Sequence, residues 1–174
     1  MAGSLAILCA LLVVVAACSA PAAEAPAPAG VSAVAQAARV EFKYDSLDDR
    51  DVSSDATRGK ATLLVFVQTG SVWGQAQVAY MVAMAKNDGD RVNYVLVALE
   101  PRQSRELVEA YAQSLGVTFL VALADQATMI GASPFGEVRG IPTTVLLDRV
   151  GRIVWRADGR VAKSDELRVQ MRGL

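Results

Sequence analysis

Residues 61–67 read A-T-L-L-V-F-V, and residues 92–99 read V-N-Y-V-L-V-A-L. A strand with one wet face alternates apolar and polar side chains, whereas a strand covered on both faces need not. Two such runs, each followed by a longer stretch of helical spacing, restrict the chain to an α/β class. They call for a central, partly parallel sheet with helices packed against it.

The segments between and around these runs fill in that frame. Val40-Glu41-Phe42-Lys43-Tyr44 alternates and reads as an edge strand, ended by the turn signal Asp48-Asp49-Arg50. Residues 71–86 read as a helix with Val72, Trp73, Ala76, Tyr80, Ala83 and Met84 near helical spacing, stopped at Asn87-Asp88-Gly89. Residues 101–115 read as a second helix with Leu107, Val108 and Tyr111 on one face, closed by Gly116. Phe119-Leu120-Val121 is a short apolar segment, and residues 126–132 a short helix. Residues 143–147 and 152–156 read as strands joined by a hairpin turn at 148–151. Ser164 is a plausible N-cap for a last helix, with Asp165 and Glu166 favourable at its positive end. The order is β, β, α, β, α, short α, β, β, α, with no internal repeat. Residues 39–174 are enough for one good core.

Composition removes several function classes. The formal net charge is −1, with no clustering of Lys and Arg of the kind a nucleic-acid surface needs. The chain has no histidine, which removes the commonest general base and the usual Ser-His and Cys-His pairs. It also removes most zinc sites, and no metal or other cofactor is expected. Asp45, Asp48, Asp49, Asp51 and Asp55 form an acidic stretch, but Arg50 interrupts the alternate-carboxylate pattern of a calcium loop, and a solvated loop is the better reading.

Both cysteines, Cys9 and Cys18, fall in the apolar N-terminal region. Residues 5–17 are almost uninterrupted apolar, too short to span a bilayer comfortably but suited to the core of a signal peptide. Val15-Ala16-Ala17-Cys18 resembles a lipobox, in which small residues precede a cysteine that becomes acylated after cleavage. An ordinary cleaved signal is the alternative. No Lys or Arg precedes the apolar run, a departure from the usual signal. Residues 19–38 are rich in Ala and Pro and cannot bury enough side chain to fold. The expected organisation is a lipoprotein-type signal peptide at 1–17, Cys18 with a linker over 18–38, and a folded domain over 39–174.

Over residues 40–172 the sequence resembles the thioredoxin-like, membrane-tethered disulfide reductases of the TlpA type. The strongest piece is G-E-V-R-G-I-P-T-T-V-L-L-D at residues 136–148, followed by G-R-I-V at 151–154. It is similar to the family's V-x-G-x-P-T-x-x-L-I-D-x-x-G-x-I signature. The resemblance implies a central mixed sheet flanked by helices with an N-terminal strand extension. It implies a cis bond before Pro142, with Ile141 lining a site for an extended substrate strand. Counting from Gly59-Lys60 in the family's register puts the C-x-x-C motif at Ser71-Val72-Trp73-Gly74, so both redox cysteines are missing.

Disulfide exchange needs one thiolate to attack and a second thiol to resolve the mixed disulfide. Neither Ser71 nor Gly74 can do this. Ser71 reads as a helix N-cap, or as a hydrogen-bond donor to a substrate thiolate as in some glutathione-binding thioredoxin folds. Trp73 reads either as core filling or as an aromatic anchor for a partner. The expected function is a lipid-anchored envelope protein facing the periplasm, on the outer membrane rather than the inner. Its domain would bind a protein or peptide along Ser71, Val72, Trp73, Gly74, Ile141, Pro142 and Thr143. One alternative is an oxidoreductase using cysteine-free or partner-supplied thiol chemistry. Another is a structural tether within an envelope assembly.

Overall fold

The computed structural model describes residues 38–174. The expected signal peptide, Cys18 and nearly all of the linker lie outside the described residues. Residues 39–42 cross one face of the sheet, burying Val40 and Phe42 while Glu41 stays exposed. The chain then forms β1 (Lys43–Ser46), which pairs antiparallel with the two-residue β2 (Val52–Ser53). The short α1 (Ser54–Thr57) follows, capped by the Ser53 hydroxyl, which accepts from Ala56 N–H at 3.2 Å. The alternation at residues 40–44 was correctly placed, but the strand begins later than expected. It is also internal, because β1 pairs on its other side with β5 (Leu120–Leu123).

The apolar run at 61–67 becomes β3 (Ala61–Val67), every residue of it buried. It pairs parallel with β4 (Val92–Ala98) through the 17-residue α2 (Val72–Asp88), and β4 pairs parallel with β5 through α3 (Arg105–Ser114). After α4 (Gln126–Met129), the antiparallel hairpin of β6 (Thr143–Leu147) and β7 (Ile153–Asp158) adds to the other edge of β3, and α5 (Ser164–Gln170) closes the chain. The seven strands lie in the order β2-β1-β5-β4-β3-β6-β7. This is the thioredoxin-like mixed sheet flanked by helices, with an N-terminal strand extension.

Both faces of the sheet are covered, which is why β3 and β4 need not alternate. On one face Leu63, Val65 and Leu96 pack with Val78, Met81 and Met84 of α2, Val108 and Tyr111 of α3 and Leu167 of α5. On the other face Phe42, Tyr44, Phe66 and Phe135 form an aromatic cluster with ring centroids 5.1–6.3 Å apart.

Three expected details are corrected. The buried face of α2 is Gly74, Gln77, Val78, Met81, Met84 and Asp88; Val72 and Trp73 are exposed, as is Ala83, and Ala76 and Tyr80 are only half-buried. The second helix starts at Arg105 after a single tight turn, and its Leu107 faces solvent. Lys163 rather than Ser164 holds the N-cap position of α5, and it supplies no side-chain cap.

Candidate functional site

The register of β3 against β6 sets the site. Phe66 stands opposite Thr143, so the loop leaving the C-terminal end of β3 lies at the same end of the sheet as the residues that open β6. The Ile141–Pro142 bond there is cis, as the sequence resemblance implied. Pro142 and Thr143 are buried, and Ile141 is half-buried.

The loop from β3 to α2 is anchored at both ends. Glu100, just past β4, accepts from the Thr69 N–H at 2.9 Å and from the Thr69 hydroxyl at 2.7 Å through one carboxylate oxygen. Ser71 N–H donates to the Gln68 carbonyl at 3.0 Å. The Ser71 hydroxyl then caps α2, accepting from Gly74 N–H at 3.1 Å. This is its one side-chain hydrogen bond among the described residues, and no carboxylate or amine touches it. Among the described residues, none is positioned as the base a serine nucleophile at Ser71 would require. Gly74 is buried against Val67. Between these two, Val72 and Trp73 stand 71% and 69% exposed, so Trp73 is not core filling; the buried tryptophan is Trp155.

The cis-proline loop is held from behind by β7. Arg156 is buried, and its guanidinium donates to the Phe135 and Glu137 carbonyls and to the Asp158 carboxylate. The Thr143 hydroxyl sits 3.0 Å from Asp158 Oδ1 and 2.6 Å from the Gly140 carbonyl. Burial alone would raise the Asp158 carboxyl, but Arg156 and the Thr143 hydroxyl hold it below the usual aspartate range. Gly140 crosses the backbone of Gly159 so closely that a β-carbon would meet Gly159 Cα at 2.7 Å. On the helix side, the Gln77 amide is fully buried; it donates to the Ala162 carbonyl at 3.2 Å and accepts from the Ala162 N–H at 2.6 Å.

The structure places Ser71, Gly74, Ile141, Pro142 and Thr143, the expected groove residues, at one end of the sheet. Sequence reasoning missed Glu100, Gln77, Arg156 and Asp158. Glu100 had one usable signal, an acidic residue immediately after a buried strand, at the strand ends where α/β folds place their sites. Among the described residues no cluster of acidic side chains is arranged to hold a metal ion.

No model of a protein family matches the sequence, and neither does any curated protein. Solved structures do match. A thiol:disulfide interchange protein of the thioredoxin family from Chlorobium tepidum is 22% identical, with a TM-score of 0.65 over 79% of this chain and 97% of that one. A DsbF homologue from Corynebacterium diphtheriae is 17% identical, with a TM-score of 0.64 over 78% of this chain and 85% of that one. A secreted Mycobacterium tuberculosis disulfide oxidoreductase homologous to Escherichia coli DsbE is 15% identical, with a TM-score of 0.64 over 78% and 98%. At these identities the likeness establishes the fold: this is a thioredoxin-like domain. Residues 38–174 contain no cysteine, so they cannot form a disulfide of their own.

Proposed function

We propose that the chain is an envelope lipoprotein, anchored through Cys18 and facing the periplasm, whose thioredoxin-like domain binds a protein or peptide without exchanging disulfides. The observation that carries this reading is the loop at residues 71–74. It keeps the helix-capping geometry at the end of the sheet that bears the cis-proline, holds no thiol, and presents Val72 and Trp73 to solvent. An exposed tryptophan at this end of the sheet is a suitable anchor for a partner, since few residues carry most of the energy of an interface. The periplasmic placement is supported by the apolar leader and lipobox, and Ser19 after Cys18 favours the outer membrane. Among the described residues no helix is long and apolar enough to cross a membrane.

Two experiments test it. Cys18→Ser should release the protein from the membrane to the soluble fraction, and native protein with an unmodified mature N-terminus would refute the anchor. Envelope proteins that co-purify with the wild type should be lost with Trp73→Ala. That variant should keep its melting temperature, because the side chain is mostly in water. Trp155→Ala, by contrast, should cost about 3–5 kcal/mol. Thiol-dependent reduction of an insulin-type disulfide by the Cys18→Ser protein would favour the oxidoreductase reading instead.

A further inference from the structure

The two ends of the sheet are chemically different. The end opposite the cis-proline is where the chain joins the domain. Arg39 bridges to Arg152, Val40 N–H donates to the Gly151 carbonyl at 2.9 Å, and Gly59 N–H donates to the Arg149 carbonyl at 2.9 Å. Residues 38–40, 58–60 and 149–152 are therefore gathered at the N-terminal end of β3. Seven residues of β3 separate this end from the Ser71 loop, about 20 Å at strand spacing.

A cleft of about 670 Å³ opens at this end, and five cations line it: Lys60, Arg91, Arg149, Arg168 and Arg172. Its acidic side chains are Asp88 and Asp90. Asp88 already serves Arg168 at 3.2 Å, Arg91 at 3.7 Å and the Tyr94 hydroxyl at 2.5 Å. Lys60, Arg149 and Arg172 form no ion pair with any side chain among the described residues, although Arg149 donates to the Leu174 carbonyl at 2.7 Å, which leaves the rest of its guanidinium for a ligand. Residues 1–37 carry no Lys or Arg and a single acidic residue, Glu24, and the first cation of the chain is Arg39. Positive charge is thus held back from the N-terminal segment and presented at the end of the domain where that segment attaches.

We propose that this end of the domain lies against an anionic phospholipid surface, with Lys60, Arg149 and Arg172 contacting lipid phosphates and the Ser71–Pro142 end turned away from the bilayer. The inference rests on the anchored-lipoprotein reading for its biological setting, but the contact itself needs no acyl chain. An anchor at the end of a linker limits distance and does not by itself select an orientation. A cationic face near an anionic leaflet adds about 1 kcal/mol per Lys or Arg and so selects one orientation.

The test uses the full chain with Cys18→Ser, sedimented with vesicles of phosphatidylcholine alone or with about a third phosphatidylglycerol, a strongly anionic surface. Binding to phosphatidylcholine alone sets the baseline. Phosphatidylglycerol should raise the bound fraction above it. The increment should vanish near 1 M salt, where the screening length is about 3 Å. Lys60→Glu, Arg149→Glu and Arg172→Glu together should weaken the phosphatidylglycerol-dependent partition at least about tenfold. Arg102→Glu, Arg139→Glu and Lys163→Glu, the same charge change on other surfaces, should leave it within about twofold. Equal binding to both vesicles overturns the proposal, as does an increment that survives the first triple variant. Loss of the increment to inorganic phosphate at matched ionic strength also overturns it, since that would mark a small-anion pocket. Failure of Cys18 acylation in cells would refute the anchor while leaving this measurement unaffected.

Discussion

A β-carbon built on Gly74 would lie 3.3 Å from the β-carbon of Ser71. Disulfide-bonded cysteines keep these atoms about 3.5–4.5 Å apart. The loop therefore retains, within a few tenths of an ångström, the spacing that a C-x-x-C pair closes across, although neither residue has a thiol. The same β-carbon would meet Val67 Cβ at 3.3 Å, so a side chain at residue 74 is tight but not blocked.

Ser71→Cys with Gly74→Cys should accordingly oxidise to an intramolecular disulfide in the Cys18→Ser background, read by thiol titration and mass. The helix N-terminus should bring the first thiol below the free value of about 8.5. The crowding at Val67 should cost about 1–3 kcal/mol in the reduced form. Val72→Cys with Gln75→Cys is the control for register: Val72 points to solvent and should not pair efficiently. Oxidation of the control alone would shift the alignment of the loop by one residue.

Gly140 and Gly159 make the second prediction. Gly140→Ala would drive a methyl group to 2.7 Å from Gly159 Cα, with backbone on both sides and no flexible side chain to yield. The melt should fall by an amount equivalent to about 1–3 kcal/mol, and partner binding should weaken with it because residue 140 leads into the cis-proline turn. Unchanged melting and binding would mean the two backbones separate freely.

The third prediction concerns acid. Asp148 closes the β6–β7 hairpin: Oδ1 accepts from Val150 N–H at 3.0 Å and Arg152 N–H at 2.9 Å, and Oδ2 from Arg152 Nε at 2.7 Å. Burial alone would raise its carboxyl, but these three hydrogen bonds outweigh burial and hold it below the usual range. A depressed value means the stabilisation is complete above the unfolded value of about 3.9 and is lost as pH falls through the folded one. Asp148→Asn should cost about 1–3 kcal/mol at neutral pH. The gap to the wild type should close as pH falls below about 4 in chemical denaturation. A gap that stays constant with pH would remove the carboxylate from the account.

Legibility followed the physics of each segment. The strands at 61–67 and 92–98 were readable because burial on both faces removes the apolar–polar alternation, and that at 143–147 because it follows the Gly-x-Pro motif and precedes a hairpin turn. The face of α2 was not. Val72, Trp73, Val78, Met81, Val82 and Met84 surround the helix, and two of its buried positions are Gly74 and Gln77, which carry no hydrophobic signal. β2 was missed because two residues make no pattern, and α1 because four barely complete a turn. The site's ends, Ser71 and Pro142, came from motif register. Its supports, Glu100, Gln77 and Arg156, depend on contacts between segments 31, 85 and about 20 residues apart, a separation that local pattern does not report.

Helix α2 is riveted at two points: Gln77 to Ala162 near its beginning, and Asp88 to Arg168 at its end. Neither rivet uses residue 71 or 72, and residue 73 stands mostly in water. The stretch that would carry disulfide chemistry thus hangs on a rod whose position is fixed elsewhere. Side chains at residues 72 and 73 can therefore change without loosening either rivet, so the surface they present can vary while the helix stays where it is.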